Sequence, residues 1–347
     1  MPIQNAQELL HRKRELALRT RRRLSDHLFD FGGNERLELV FDLEMHLAFL
    51  GEALRLSVPR LFSEYAVWSA DLLLTAGGEV GQFESCLDAI EAELRASGGG
   101  PWLEEVHAIM DEARTRIHSG RPLVESHLRS DNPHLALATA FLEACVHMRR
   151  SQALTMVLEA VRRGVPVEEI YVDVITPAMR ELGRMWHMNQ VTVGQEHYCT
   201  AVAQMVMAQL FPSIFDGDQR PTGRVVSVCV AGELHEIGAR MVADLFEMHG
   251  WDTVFLGADV PTSSVVDTLV ETEAEVLAIS ATLAANLGFV SDMIDAVRQE
   301  PACAGVKVLV GGAAFEVEPT LWQRVGADGW APDATAALAL AAEWSRP

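Results

Sequence analysis

One short motif carries the residue types that could hold a large, metal-bearing ligand. It runs from Glu233 to Gly238 and reads Glu-Leu-His-Glu-Ile-Gly. The imidazole of His235 can coordinate a metal through one ring nitrogen. The carboxylate of Glu233 can accept the other ring N–H and raise the basicity of the imidazole. Gly238 has no side chain, so the backbone there can pass close beside a bulky group.

Two further motifs follow in the same part of the chain. Ser280-Ala281-Thr282 offers two small hydroxyl groups, and Gly311-Gly312 lets a backbone approach a ligand where any side chain would block it. Each motif alone is a weak signal, because a histidine before a helix or a glycine pair after a strand is usually structural. Their order and their expected positions predict one ligand site.

The elements that must position these motifs are strands alternating with helices. From residue 223 onward, short apolar segments alternate with helical ones, which predicts a parallel, doubly wound sheet of the Rossmann or flavodoxin-like type over residues 223–347. Strands are predicted at 224–230, 253–256, 276–280, 306–310 and, at the edge, 329–330. The three motifs follow the first, third and fourth strands, and such sheets bind ligands at the carboxyl ends of their strands.

The chain before residue 223 is predicted to be helical. Residues 132–212 contain four helical segments with short turns, which indicates an antiparallel four-helix bundle. They are expected at 133–149, 151–163, 167–188 and 193–210. Residues 1–119 form a separate all-helical domain, with helices expected at 7–31, 36–57, 59–76, 80–96 and 102–118. The predicted fold class is therefore an α/β domain preceded by two α domains.

Composition excludes several classes of function. The formal net charge of −21 argues against general binding of nucleic acid or anionic membrane, although the first helix is rich in arginine. The chain has no apolar run long enough to span a bilayer and no signal peptide. We therefore expect a cytoplasmic protein, in keeping with five scattered cysteines that suggest no disulfide framework. The sequence shows no nucleophile–base arrangement, so we do not expect an enzyme.

The three motifs together resemble the signature of cobalamin-binding, Rossmann-type domains. That signature is Asp/Glu-x-His-x-x-Gly, then Ser-x-Leu/Thr, then Gly-Gly. Here 41 residues separate Gly238 from Ser280, and 28 separate Thr282 from Gly311. The resemblance implies that His235 is the lower axial ligand of cobalt and that Glu233 supports it. It also implies that the nucleotide tail of cobalamin runs beside Ser280, Thr282, Gly311 and Gly312.

The helical bundle also resembles a known cap. Trp186-His187, followed after seven residues by Gln195-Glu196-His197, is similar to the cap of the light-sensing CarH-type repressors. The resemblance implies that Trp186 covers the adenosyl group of adenosylcobalamin and that Glu196 and His197 line the same pocket. It also implies that His187 becomes an upper cobalt ligand once light has broken the cobalt–carbon bond.

These resemblances imply a light-sensing cobalamin photoreceptor. Photolysis would rearrange the cap and change self-association or partner binding, so we expect a homo-oligomer whose state depends on light. An alternative is a corrinoid carrier protein that passes methyl groups between methyltransferases. A third is a redox or cobalamin-level sensor without photochemistry. Trp186 and His187 favour the first, because a carrier needs an open upper face.

The N-terminal domain departs from the CarH-type layout. It shows no winged-helix signature, so we expect signalling through protein contacts rather than DNA. The layout is similar to that of the photocobilins, which add biliverdin to cobalamin. On that resemblance the domain could hold a bilin, and four residues are compatible with an aromatic pocket: His46, Tyr65, Trp68 and Trp102.

Overall fold

The computed structural model describes residues 4–29, 33–119, 125–214 and 222–345. Parts of the linkers expected before residues 132 and 223 therefore lie outside the described residues. The chain forms two compact units, one of Met1–Pro122 with Thr282–Ser291 and Ala313–Gly326, and the other of Leu123–Ala281 with Asp292–Gly312 and Ala327–Pro347. Among the described helices, none is long and apolar enough to cross a membrane.

The described N-terminal part of the first unit, up to residue 119, contains six α-helices and a 3-10 turn at Asp26–Phe29. The helices are α1 (Ala6–Arg21), α2 (Glu35–Val40), α3 (Leu43–Arg55), α4 (Arg60–Thr75), α5 (Val80–Ser97) and α6 (Trp102–His118). Two helix predictions for this unit were wrong. The helix expected over 7–31 ends at Arg21 and is followed by the 3-10 turn, and the single helix expected over 36–57 is divided into α2 and α3. The side chain of Asp42 accepts hydrogen bonds from the backbone N–H groups of Glu44 and Met45, at 3.0 and 3.1 Å, and so begins a new helix.

Helix α3 also contacts the later segments of this unit. The carboxylate of Glu52 is buried and forms an ion pair with Arg55 at 2.7 Å. Arg55 donates to the hydroxyl of Ser291 at 3.2 Å, and Arg324 donates to the carbonyl of Leu56. Gly288 lies so close to Glu52 that a Cβ would come 2.8 Å from its Oε1. The segments that follow two of the strands are therefore part of the N-terminal helical unit.

The second unit begins with a bundle of helices. They are α7 (Leu135–Val146), α8 (Arg150–Arg162), α9 (Val167–Glu169), α10 (Thr176–His187) and α11 (Val193–Leu210). The helix expected over 167–188 contains a π-helical turn at Ile170–Ile175, which divides it into α9 and α10. Helix α11 begins with a capping box in which Thr192 and Gln195 bond to each other's backbone N–H groups.

The rest of this unit is a five-stranded parallel sheet in the order β2-β1-β3-β4-β5. The strands are β1 (Arg224–Cys229), β2 (Asp252–Gly257), β3 (Val276–Ser280), β4 (Lys307–Gly311) and β5 (Gly329–Trp330). The helices of this unit are α12 (Ile237–Met248), α13 (Thr262–Thr272) and α16 (Ala334–Trp344). Of the two remaining helices, α14 (Leu287–Gln299) begins in the first unit and ends in the second, and α15 (Leu321–Arg324) belongs to the first. The predicted fold class is confirmed.

Helix α12 contributes to two hydrophobic cores. Met241 and Leu245 belong to the core of the helical bundle. Phe246, the next residue, belongs to the core beneath the sheet, where its ring meets Trp251 edge-on with the centroids 5.2 Å apart. Because the side chains of one helix fill both cores, the bundle and the sheet are packed against a common element.

A stability measurement can test the close approach at Gly312. This residue has a φ of +96°, and a Cβ there would lie 2.4 Å from the carbonyl oxygen of Ala281. We expect Gly312→Ala to lower the free energy of unfolding by about 3 kcal/mol, measured by urea denaturation of the cofactor-free protein. The control is Gly183→Ala in α10, where a Cβ meets nothing within 4 Å. It should be neutral or stabilise by about 0.5–1 kcal/mol. An unfolding midpoint of Gly312→Ala equal to that of the unmodified protein would contradict the steric explanation.

Candidate functional site

The strand register brings the three sequence motifs to one edge of the sheet. Cys229 at the end of β1 pairs with Ser280 at the end of β3, and Ser280 pairs in turn with Gly311 at the end of β4. The Glu233–Gly238 motif begins four residues beyond Cys229. The three motifs therefore follow neighbouring strand ends, where parallel α/β sheets bind their ligands.

The geometry at His235 suits a metal ligand. Its side chain is 60% exposed, and its Nδ1 lies 2.5 Å from Oε1 of the fully buried Glu233. The same oxygen accepts the backbone N–H of His235 at 3.1 Å. The contact with Glu233 is the main cause that raises the pKa of His235. Because Nδ1 is engaged by the carboxylate, a metal would bind at Nε2.

The loop that carries His235 is held by its neighbours. The carboxylate of Asp259, beyond β2, accepts the N–H of Gly232 at 2.8 Å, and the N–H of Asp259 donates to the carbonyl of Glu233 at 3.2 Å. On the other side of His235, Glu236 accepts a hydrogen bond at 2.7 Å from Gln204 of α11. The cap and the sheet therefore both hold this loop.

Space is open beside this loop. Leu234 is 74% exposed although it is a large apolar residue. A Cβ on Gly238 would meet no atom within 4 Å, and the residue lies in the first turn of α12 with ordinary helical geometry. No backbone strain therefore requires glycine there, and the glycine leaves room instead. An apolar side chain beside an exposed imidazole is a suitable surface for a flat, largely apolar macrocycle.

Gly311 and Gly312 have no side chain for a different physical reason than Gly238. A Cβ on Gly311 would lie 3.1 Å from the carbonyl oxygen of Ala331, and Gly312 meets the backbone of Ala281 even more closely. These contacts are between protein backbones, so the protein itself requires glycine at 312, and a side chain at 311 would be tight. Ser280 is half-buried at the end of β3, and Thr282 follows Ala281. The part these four residues play toward a nucleotide tail stays a prediction.

The cap residues lie where α10 ends and α11 begins. Trp186 packs against the bundle core, and His187 is buried. At the start of α11, Glu196 lies 2.6 Å from Nδ1 of His197 and accepts the hydroxyl of Thr200 at 2.9 Å. His197 itself is 76% exposed. The charge of Glu196 makes a smaller contribution to the raised pKa of His235. The start of α11 therefore lies within electrostatic reach of His235.

The four aromatic-pocket residues lie in the first unit. His46 is fully buried, its Nδ1 lies 2.7 Å from the hydroxyl of Tyr65, and burial lowers its pKa to about 4. The ring of Tyr65 stacks on Phe49 with the centroids 3.7 Å apart, and the ring of Trp68 stacks on Tyr65 as well. Trp102 lines a separate groove with Leu54. These rings form part of a core, and a bilin there stays a prediction.

Sequence reasoning missed two polar side chains that join the bundle to helix α12 of the sheet domain. The hydroxyl of Tyr171, in the π-helical turn, donates to Asp244 of α12 at 2.8 Å, and both residues are buried. Asp244 stands out because it interrupts the apolar stretch from Met241 to Phe246. A lone aspartate in such a stretch must find a partner when it is buried, and that was the available signal.

Family comparison identifies the class of both domains in this unit. Residues 223–339 match the family model for a B12 binding domain, and residues 137–211 match a second model with the same description. The chain therefore carries a B12-binding cap, formed by the bundle, and a B12-binding domain of the Rossmann type. This confirms the cobalamin-binding part of the sequence interpretation.

Individual relatives are corrinoid proteins. Dimethylamine corrinoid protein 3 of Methanosarcina acetivorans is 27% identical over 202 residues, which cover 58% of this chain and 93% of that protein. Monomethylamine corrinoid protein 2 of the same organism is 24% identical over 212 residues, covering 59% and 92%. The structure of Methanosarcina barkeri monomethylamine corrinoid protein has a TM-score of 0.54 at 23% identity, covering 60% of this chain and 99% of that one. It shows the common fold.

The described residues fit cobalamin. An exposed imidazole backed by a buried carboxylate can provide one axial ligand to a metal whose other ligands come from a macrocycle. The open space beside Gly238 and the exposed side chain of Leu234 give the macrocycle room. His235 would hold the cobalt, and Glu233 would hold the tautomer of His235.

The ligand pair can be tested by substitution. We expect Glu233→Gln to weaken cobalamin binding about 10–100-fold, because a neutral amide cannot support the imidazole as a carboxylate does. His235→Ala should weaken it at least as much. Equilibrium dialysis against hydroxocobalamin measures both.

The control is His249→Ala at the other end of α12, where the ring lies 3.8 Å from Glu168. It should bind as the unmodified protein does. Undiminished binding by His235→Ala would rule out His235 as the axial ligand.

Proposed function

We propose that this protein is a corrinoid carrier that holds cobalamin through His235 and exchanges methyl groups with methyltransferase partners. The observation that carries the proposal is the Glu233–His235 pair at the edge of the sheet. It lies in a stretch that aligns with nearly the full length of relatives named methylamine corrinoid proteins. On this proposal the chain is the substrate of its partners and not itself an enzyme.

Each residue of the site has a defined task under this proposal. Cobalamin supplies a cobalt that can accept and release a methyl group. His235 would hold the cobalt through Nε2, and Glu233 would accept the Nδ1–H and keep the imidazole oriented. Glu196 and His197, at the start of α11, would contribute to the cofactor pocket from the cap. Opening of the cap would give a partner access.

Dark methyl transfer tests the carrier. We expect protein loaded with methylcobalamin to be demethylated in the dark by a corrinoid:thiol methyltransferase with a thiol acceptor, followed by absorption spectroscopy. The rate should fall at least tenfold when His235→Ala replaces the unmodified chain, because a detached cofactor is no longer presented to the partner. His249→Ala should react as the unmodified protein does. Stable methylcobalamin under these conditions, with binding intact, would contradict the carrier.

A light-sensing function is the second candidate, and the end of α10 favours it. Trp186 lies against the bundle core, and His187 next to it is 5% exposed. On this candidate, a shift of the bundle would bring His187 to the cobalt as a ligand. The adenosyl form of the cofactor and a light-dependent homo-oligomer belong to this candidate.

Light and the choice of upper ligand separate the two candidates. The carrier should bind adenosyl-, methyl- and hydroxocobalamin within about tenfold of one another, and its elution volume should not change under green light. The light sensor should prefer adenosylcobalamin and change its elution volume after illumination. His187→Ala should then alter only the spectrum after illumination. The control is His134→Ala, whose ring lies 2.7 Å from Glu169 at the start of the bundle.

A further inference from the structure

A buried tyrosine–aspartate pair joins the cap to the helix that follows His235. Tyr171 is fully buried, and its hydroxyl donates to Oδ2 of Asp244 at 2.8 Å. Arg240 lies 3.8 Å from the same oxygen, one turn earlier in α12. A hydrogen bond to a buried carboxylate is stronger than one between neutral groups, and its loss leaves the carboxylate without compensation.

The π-helical turn is what places Tyr171 at this contact. The hydroxyl of Thr176 donates to the carbonyl of Tyr171 at 2.8 Å and lies 3.3 Å from the sulfur of Met241. Thr176 therefore contacts both the turn and α12. Single π-helical turns within α-helices occur often at functional sites, because the irregularity redirects side chains.

Helix α12 is held from the opposite side as well. The hydroxyl of Ser227 in β1 donates to the carbonyl of Ala239 at 2.9 Å, and both groups are buried. The N-cap of α12 is Glu236, which directly follows His235. A shift of α12 toward or away from the bundle would therefore move His235 relative to the cap.

We propose that Tyr171 and Asp244 are positioning residues that hold α12, and through it His235, in register for axial ligation of cobalt. Both residues are buried, so they act through α12 and not as cobalt ligands. Its effect is on the equilibrium between cobalamin with His235 bound and cobalamin with His235 detached. The inference rests on the assignment of His235 as axial ligand in the proposed function.

The test uses the full-length protein loaded with cobalamin and reduced to the cob(II)alamin state. The protein is labelled with ¹⁵N-histidine. In the electron paramagnetic resonance spectrum, an axial ¹⁵N splits the cobalt lines into doublets, whereas the ¹⁴N of cobalamin's own base splits them into triplets, so the doublet fraction measures bound His235. We expect Tyr171→Phe to lower the ratio of bound to detached His235 by about tenfold or more, because it removes a hydrogen bond to a charged group. Asp244→Asn retains an acceptor oxygen without the charge and should lower the ratio less than Tyr171→Phe does.

The matched control is Tyr198→Phe in the same bundle. The hydroxyl of Tyr198 donates to the carbonyl of Met148 at 2.9 Å, away from α12. Its loss should leave the doublet fraction unchanged. A folded Tyr171→Phe protein with the unmodified ratio, or an equal shift in Tyr198→Phe, would overturn the positioning role.

Two further measurements keep the outcome decisive. If Tyr171→Phe does not fold, Asp244→Ala and its double variant with Tyr171→Phe measure the same coupling. The double variant should then shift the ratio no further than Asp244→Ala alone, and additive shifts would overturn the pairing. If the unmodified protein shows no doublet, the assignment of His235 fails. If the unmodified protein shows bound His235 and the variants show the same ratio of bound to detached His235, the assignment of His235 stands and the positioning role fails.

Discussion

Helix α12 is the element on which the rest of the second unit depends. Met241 and Leu245 fill the bundle core, whereas Phe246 fills the core beneath the sheet. Apolar burial of this kind is the dominant stabilising term in folding, and close packing makes it sensitive to small displacements. The same helix begins directly after the His235 loop. The position of the candidate cobalt ligand is therefore tied to the packing of both cores.

Polar contacts then define how the apolar surfaces meet. Apolar packing alone is non-directional and tolerates alternative registers, but buried hydrogen bonds require particular partners. Ser227 bonds α12 on the sheet side and Tyr171 bonds it on the bundle side. The contact of Gln204 with Glu236 adds a link close to His235 itself. These contacts therefore define the register in which α12 packs between the bundle and the sheet.

The two functional candidates would share the same cobalt ligand and differ in what the cap does. Glu233 and His235 would act identically in a methyl carrier and in a light sensor. The difference lies at the end of α10, with Trp186 and His187, and at the start of α11, with Glu196 and His197. A carrier requires that this region yield to a partner protein, whereas a light sensor requires that it respond to loss of the upper ligand. The relatives named corrinoid proteins favour the carrier.

The sequence by itself determined the fold class, all five strands and the order of the three motifs. Apolar alternation and turn residues act over short distances, and those signals are written locally. It also pointed to His235 and Glu233, because two residues of separation suffice for their contact. The tertiary structure decided the rest. Asp42 begins a new helix inside one expected helix, and a π-helical turn divides another. Glycine is required at 312 because a Cβ there would meet the backbone of Ala281. Tyr171 bonds to Asp244, which lies 73 positions further along the sequence. Such contacts depend on which distant backbone and side-chain atoms fold next to one another, and no local pattern encodes that.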